Sequence, residues 1–178
     1  MKYNLLATTE QLTISEATSE LWMNLRAVGD EEAKVDRSRV KGLILGWSSL
    51  GPIEAIHSLR DYMEEEPDRF KNIYRIMPII SWVKTSIEDI VEEVNRQKEK
   101  VSDDETFRIT VEKRRTNLGR LEIIEPVADI FDNDVDLEDP DWTVLINVLG
   151  NKTGVSVIRP EDKLNIQKEK YELSKKGH

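Results

Sequence analysis

Apolar positions along the chain switch between a period of two and a period of three to four, and the switches mark the elements. Residues 3–8 predict a short first strand. Ile14, Ala17, Leu21, Leu25 and Val28 then recur at helical spacing, with Thr13 and Glu16 placed as a capping box and Gly29 as the stop. Residues 34–39 alternate weakly, and residues 40–48 are apolar enough for a buried strand. Gly51 and Pro52 open a second helix with Ile53, Ile56, Leu59 and Met63 on one face, and Pro67 closes it. Residues 73–83 predict one strand, with Pro78 at an edge or a bulge. Ser86 caps a third helix that turns Ile87, Ile90, Val91 and Val94 inward. Residues 107–113 alternate cleanly as a half-buried strand. Residues 121–131 predict a helix in which Pro126 sits in the first turn or makes a kink. Residues 141–149 and 153–159 form a hairpin around Gly150, Asn151 and Lys152. From Lys163 onward the pattern fades into a frayed tail or loose helix.

The predicted order is β-α-β-β-α-β, then α-β-α-β-β. Its first half is the split pattern of a ferredoxin-like unit. The expectation is an α+β (α/β) chain of two small domains, residues 1–66 and 67–166, with a polar, lysine-rich tail at 167–178. A length of 178 residues suits that division. No apolar run approaches the ~20 residues of a membrane span, and the N-terminus lacks signal-peptide design. The absence of cysteine excludes disulfides, thiolate metal sites and cysteine nucleophiles, and fits a reducing cytoplasm.

Enzyme chemistry finds little support. Of two histidines, His57 flanks the apolar stripe of the second helix, and His178 is the last residue. Neither a Gly-x-Ser-x-Gly elbow nor a phosphate-binding Gly-x-x-x-x-Gly-Lys loop occurs. An EF-hand begun at Asp132 would place Leu137 where glycine is needed and Thr143 where the bidentate glutamate belongs. The expectation is therefore no catalytic residue, no metal and no cofactor.

Charge changes the picture locally. The chain carries a formal −9, yet residues 107–120 carry +4, with Arg108, Lys113, Arg114, Arg115 and Arg120 against Glu112 alone. Thr116 and Asn117 add polar groups just before a helix start. Arginine forks, loop donors and a helix N-terminus together suit phosphate oxygens. A solvated basic turn that pairs with the protein's own acidic loops is an equally open reading of these residues.

Four segments carry a resemblance: Phe107-Arg-Ile-Thr-Val-Glu-Lys-Arg-Arg, Glu122-Ile-Ile-Glu, Val135-Asp-Leu-Glu-Asp-Pro-Asp-Trp and Gly154-Val-Ser-Val-Ile-Arg-Pro. Together they resemble the THUMP domain. Asn4-Leu-Leu-Ala-Thr-Thr-Glu, Glu65-Glu-Pro-Asp-Arg-Phe and Arg75-Ile-Met-Pro-Ile look more specifically like the stand-alone THUMP proteins, relatives of the accessory protein of tRNA cytidine acetylation. The resemblance implies a ferredoxin-like domain followed by a THUMP domain. In that family the domain is usually fused to a catalytic domain and binds tRNA at the acceptor stem. With the sequence stopping after THUMP, the expectation is a non-catalytic cytoplasmic adaptor. It would present tRNA to a separate acetyltransferase for 4-acetylcytidine formation. Carried over by position, Lys113, Arg114, Arg115 and Arg120 fall in the family's basic strand end and loop, and Lys152 and Thr153 in its last hairpin. With Arg108 and Asn117 these make the candidate RNA-binding set. Pro126 departs from the family's continuous helix, and the acidic total makes the basic face small. The alternative is a protein-interaction or dimerisation module without direct RNA binding.

Overall fold

The computed structural model describes residues 2–177, so His178 lies outside the described residues. The chain begins with β1 (Leu5–Thr9), α1 (Ile14–Ala27), β2 (Lys34–Arg37), β3 (Leu43–Trp47), α2 (Pro52–Glu65) and β4 (Ile73–Pro78). It continues through β5 (Ser81–Lys84), α3 (Ile87–Gln97), β6 (Phe107–Arg114), α4 (Arg120–Asp129), β7 (Trp142–Leu149) and β8 (Lys152–Ile158). A short β9 (Leu164–Asn165) and α5 (Ile166–Lys176) end it. Two compact units result: Met1–Pro78 with Glu161–His178, and Ile79–Pro160. No helix among the described residues is long and apolar enough to cross a membrane.

The first unit is a ferredoxin-like antiparallel sheet in the order β2-β3-β1-β4-β9. Its helices cover one face, where Leu21, Leu25, Ile56 and Leu59 are fully buried against Leu5, Ala7, Ile44 and Ile76. Gly29, at φ +103°, provides the left-handed residue that ends α1. The capping box expected from Thr13 and Glu16 is not made. Residues 11–13 instead form a 3-10 turn, and the Glu10 carboxylate accepts from the Leu12 N–H at 3.3 Å. After α1 the buried Asp30 ties two loops together. It accepts from the Ser48 and Ser49 hydroxyls, both at 2.6 Å, and from the Ser49 and Glu32 N–H groups at 3.0 and 3.2 Å. Burial pushes its carboxyl up, but these donors outweigh burial and hold it below the usual range.

Three sequence expectations give way here. The single strand over residues 73–83 is broken after Pro78. β4 pairs with β1, whereas β5 pairs with β8 in the other sheet. Proline lacks the N–H a ladder needs, so the chain leaves the first sheet there. The division expected near Pro67 accordingly falls within the first unit. The tail, expected to be loose, returns to that unit: Leu164 pairs with Ile76, and Leu164 and Ile166 are buried in its core. Arg60 secures it through Glu169 at 2.6 Å and the Lys163 carbonyl at 2.8 Å.

The second unit is a mixed sheet in the order β5-β8-β7-β6, with β6 and β7 parallel and the other pairs antiparallel. Ile90 and Val94 of α3 and Ile123 and Val127 of α4 pack on Val111, Val144, Ile146, Val148, Val155 and Val157. Ile109 is half-buried in the same cluster. Pro126 lies inside α4, beyond its first turn, and α4 continues to Asp129.

Candidate nucleic-acid interface

Strand direction decides what meets at the end of the second sheet. β5 and β7 are each antiparallel to β8, and β6 is parallel to β7, so β5, β6 and β7 finish at the same end. α3 and α4 begin there. Pairing register then sets one row across the strands, with Arg114 beside Leu149, Leu149 beside Lys152, and Lys152 beside Lys84. Neighbouring strands are about 4.8 Å apart, so three cations lie within roughly 15 Å. The adjacent row, Lys113, Val148, Thr153 and Val83, turns toward the helices, because Val148 and Val83 belong to the helix-covered core.

The loop from β6 to α4 adds to this end. Arg115 is exposed and adopts φ +55°, the one positive-φ non-glycine among the described residues. The Gly150 N–H donates to the Arg114 carbonyl at 2.9 Å, tying the β7–β8 turn to this loop. Lys113 Nζ reaches the Leu118 carbonyl at 3.2 Å, and Arg120 Nη1 the Val111 carbonyl at 2.6 Å. Arg114 Nη1 donates to Asn147 Oδ1 at 3.2 Å. Asn117 is exposed on the loop. At the start of α4 the Gly119 N–H donates to Glu122 Oε1 at 2.9 Å.

Lys113, Arg114, Arg115, Asn117, Arg120 and Lys152 are thus brought together. Arg108 is not. Six residues earlier on an extended strand, it lies roughly 20 Å away, where Nη1 donates to the Leu137 carbonyl at 2.9 Å. Thr153 is fully buried, and its hydroxyl pairs with that of Thr85 at 2.8 Å, so it offers nothing to a surface ligand. Sequence reasoning missed Lys84. It stands outside the basic run, and only the β5–β8 register places it directly opposite Lys152. Like charges directly opposite on paired strands destabilise a sheet. Among the described residues neither Lys84, Lys152, Lys113 nor Arg120 takes part in an ion pair. Lys84 and Lys152 thus stand opposite each other without an acidic partner among the described residues, and with Arg114 they make a cationic row suited to several anionic oxygens.

The other end of the same sheet is held differently. Glu105 accepts from Trp142 Nε1 at 2.9 Å, the Ser102 N–H at 3.0 Å and Arg159 Nη1 at 2.7 Å, while the Arg159 guanidinium lies 3.8 Å over the Trp142 ring. The bond from Trp142, then those from Ser102 and Arg159, lower the Glu105 carboxyl to about 2. Among the described residues no group of three or more His, Cys, Asp or Glu side chains could hold a metal ion.

A mixed sheet with helices on one face, a basic strand-end row and a ferredoxin-like unit in the same chain defines the architectural class. More particularly, residues 84–158 match the family model of the THUMP domain, and the second unit carries that domain. The match begins at Lys84. Two solved structures extend the likeness across both units. PH1313 from Pyrococcus horikoshii Ot3 is 20% identical with a TM-score of 0.58, over 88% of this chain and 55% of that one. TrmN from Thermus thermophilus is 20% identical with a TM-score of 0.53, over 88% of this chain and 46% of that one. At such identity the likeness is one of fold. The chain spans about half the length of these structures. No curated protein sequence matches it significantly.

Proposed function

We propose that the protein binds tRNA through the strand-end face of its second unit and presents it to a separate modification enzyme. By the resemblance above, that enzyme is an acetyltransferase forming 4-acetylcytidine, and the part held is the acceptor stem. The protein's own residues bind and orient without catalysing. The observation that carries this reading is the row Lys84, Lys152 and Arg114, flanked by Lys113, Arg115 and Arg120, in a chain of net charge −9. Folding places like charges side by side there, and a phosphate backbone relieves that repulsion while releasing its own counterions. The THUMP match over residues 84–158 supports the same reading.

Titrating bulk tRNA in a gel-shift assay across salt concentrations tests it. Expected is binding that weakens with salt, with a slope of about 0.7–0.9 for each phosphate neutralised. Binding without salt dependence, or none at low salt, would remove the reading and leave the protein-interaction alternative. Acetyl donor and tRNA with this protein alone are expected to give no modified base, and adding the protein to an acetyltransferase is expected to raise its yield.

A further inference from the structure

The first unit holds a cavity of about 580 Å³ lined by Lys2, Tyr3, Lys34, Asp36 and Trp47, none of which belongs to the site above. Its volume falls in the range of sites that take small molecules or single residues of a polymer.

Strand alternation fixes how it is built. A Cβ on Gly46 would lie 3.5 Å from Leu21 of α1, so residue 46 faces the helices. Its cross-strand partner Val35 packs into the helix-covered core. The next positions, Trp47 with its partner Lys34, and Asp36 opposite Leu45, therefore face away from the helices. β2 is the edge of the sheet, which leaves Lys34 at an open margin. Beside them, the Asn4 N–H donates to the Gly46 carbonyl at 3.0 Å and holds the start of the chain along β3. The Tyr3 hydroxyl donates to Asp36 Oδ2 at 2.7 Å, so one cavity wall is a preset phenol–carboxylate pair. Trp47 is half-buried, and among the described residues its indole N–H has no acceptor. Lys2 and Lys34 take part in no ion pair among those residues.

A large aromatic ring, a donor without a partner, a fixed carboxylate acceptor and two cations match an unstacked nucleobase with phosphates on either side. Such a base has a π-face for the indole and edge groups for the carboxylate, while the indole N–H, which points sideways from the stack, and the lysines suit the oxygens of its flanking phosphates. Aromatic side chains on a sheet surface are a known physical solution for unpaired bases, which a duplex keeps stacked and out of reach. Here only the β2 margin of that face is exposed, since Leu6, Leu45 and Met77 further along it are buried. We propose that this cavity takes one unpaired nucleotide of a single-stranded RNA segment, its base stacked on Trp47 and its flanking phosphates against Lys2 and Lys34.

The test uses the whole chain and a fluorescein-labelled six-nucleotide oligouridylate, read by anisotropy. Trp47→Ala is expected to weaken binding about 5- to 150-fold, with Trp47→Phe restoring part of the loss. Lys34→Ala is expected to lower the salt slope by about 0.7. Unlabelled oligouridylate should compete, whereas equimolar uridine monophosphate, inorganic phosphate or duplex RNA should not. A folded Trp47→Ala that binds like the parent overturns the proposal. Equal competition by the monophosphate or the duplex overturns it as well. If Trp47→Ala fails to fold, photo-crosslinking of a 5-iodouridine oligonucleotide to the parent protein decides. Crosslinks at Trp47 or Tyr3 uphold the assignment, and crosslinks confined elsewhere overturn it. The variant Lys84→Gln with Lys152→Gln separates this site from the other one. Oligonucleotide binding lost in that variant but kept in Trp47→Ala sinks the cavity proposal and leaves the tRNA reading standing.

Discussion

Lys84 and Lys152 are paired directly opposite each other at the end of β5 and β8, and neutralising either one should move stability and RNA affinity in opposite directions. Directly opposite side chains have Cβ atoms about 5 Å apart. With the ammonium groups splayed to roughly 7 Å, water's dielectric gives a repulsion of about 0.6 kcal/mol. A Debye length of about 8 Å at physiological salt reduces this to roughly 0.2–0.3 kcal/mol, and about 0.5 kcal/mol survives at 0.01 M. Lys152→Gln should therefore raise the melting temperature by about 1 °C at physiological salt and by up to about 2 °C at low salt. The same change deletes one phosphate contact. The tRNA salt slope should fall by about 0.7–0.9, so the affinity loss between 50 and 200 mM salt becomes about threefold smaller. Paired thermal melts and gel-shift titrations at two salt concentrations measure both quantities. A basic end held by the protein's own acids gives lost stability and no change in RNA binding instead. A variant that is less stable, with unchanged tRNA affinity and slope, would refute the reasoning.

Three further outcomes follow from the geometry. Glu105 has a folded-state pKa of about 2 against an ordinary 4.5, so its stabilisation is present above pH 4.5 and is lost as pH falls toward 2. Glu105→Gln should accordingly be less stable than the parent at pH 7, with the gap closing through that window in urea unfolding followed against pH. At Arg115, whose φ is +55°, Asn tolerates the left-handed region and Val does not. Arg115→Val should be roughly 1–2 kcal/mol less stable than Arg115→Asn in denaturant titrations, although both remove the same guanidinium. Asp30→Ala leaves the buried Ser48 hydroxyl and two backbone N–H groups without their carboxylate, and should cost roughly 3 kcal/mol by urea midpoint.

The elements that sequence reasoning located are those whose signal is local. α1, α2 and α3 each repeat an apolar face within their own length, and β6, β7 and β8 alternate or run apolar between clear turn residues. What escaped depends on distant partners. The tail docks through Leu164 and Ile166, too few apolar residues to set a period, and its β9 exists only because β4 offers an unpaired edge. Residues on both sides of Pro78 are apolar, and no local pattern says that they serve different sheets. The basic site divides in the same way. Lys113, Arg114 and Arg115 are neighbours in the chain, so local charge alone marks them. Arg108 satisfies the same count, yet an extended strand carries it roughly 20 Å off, because each residue adds about 3.3 Å. Thr153 stands next to Lys152, and the twofold alternation of β8 turns it into the core. Lys84 is 29 positions from the nearest member of the basic run, yet two register pairs and a shared strand direction bring it into the row. Charge composition locates a strand end capable of holding phosphate, but register selects the cations that can hold it together. For that reason Lys84 and Lys152, rather than Arg108, are the substitutions on which the tRNA reading depends.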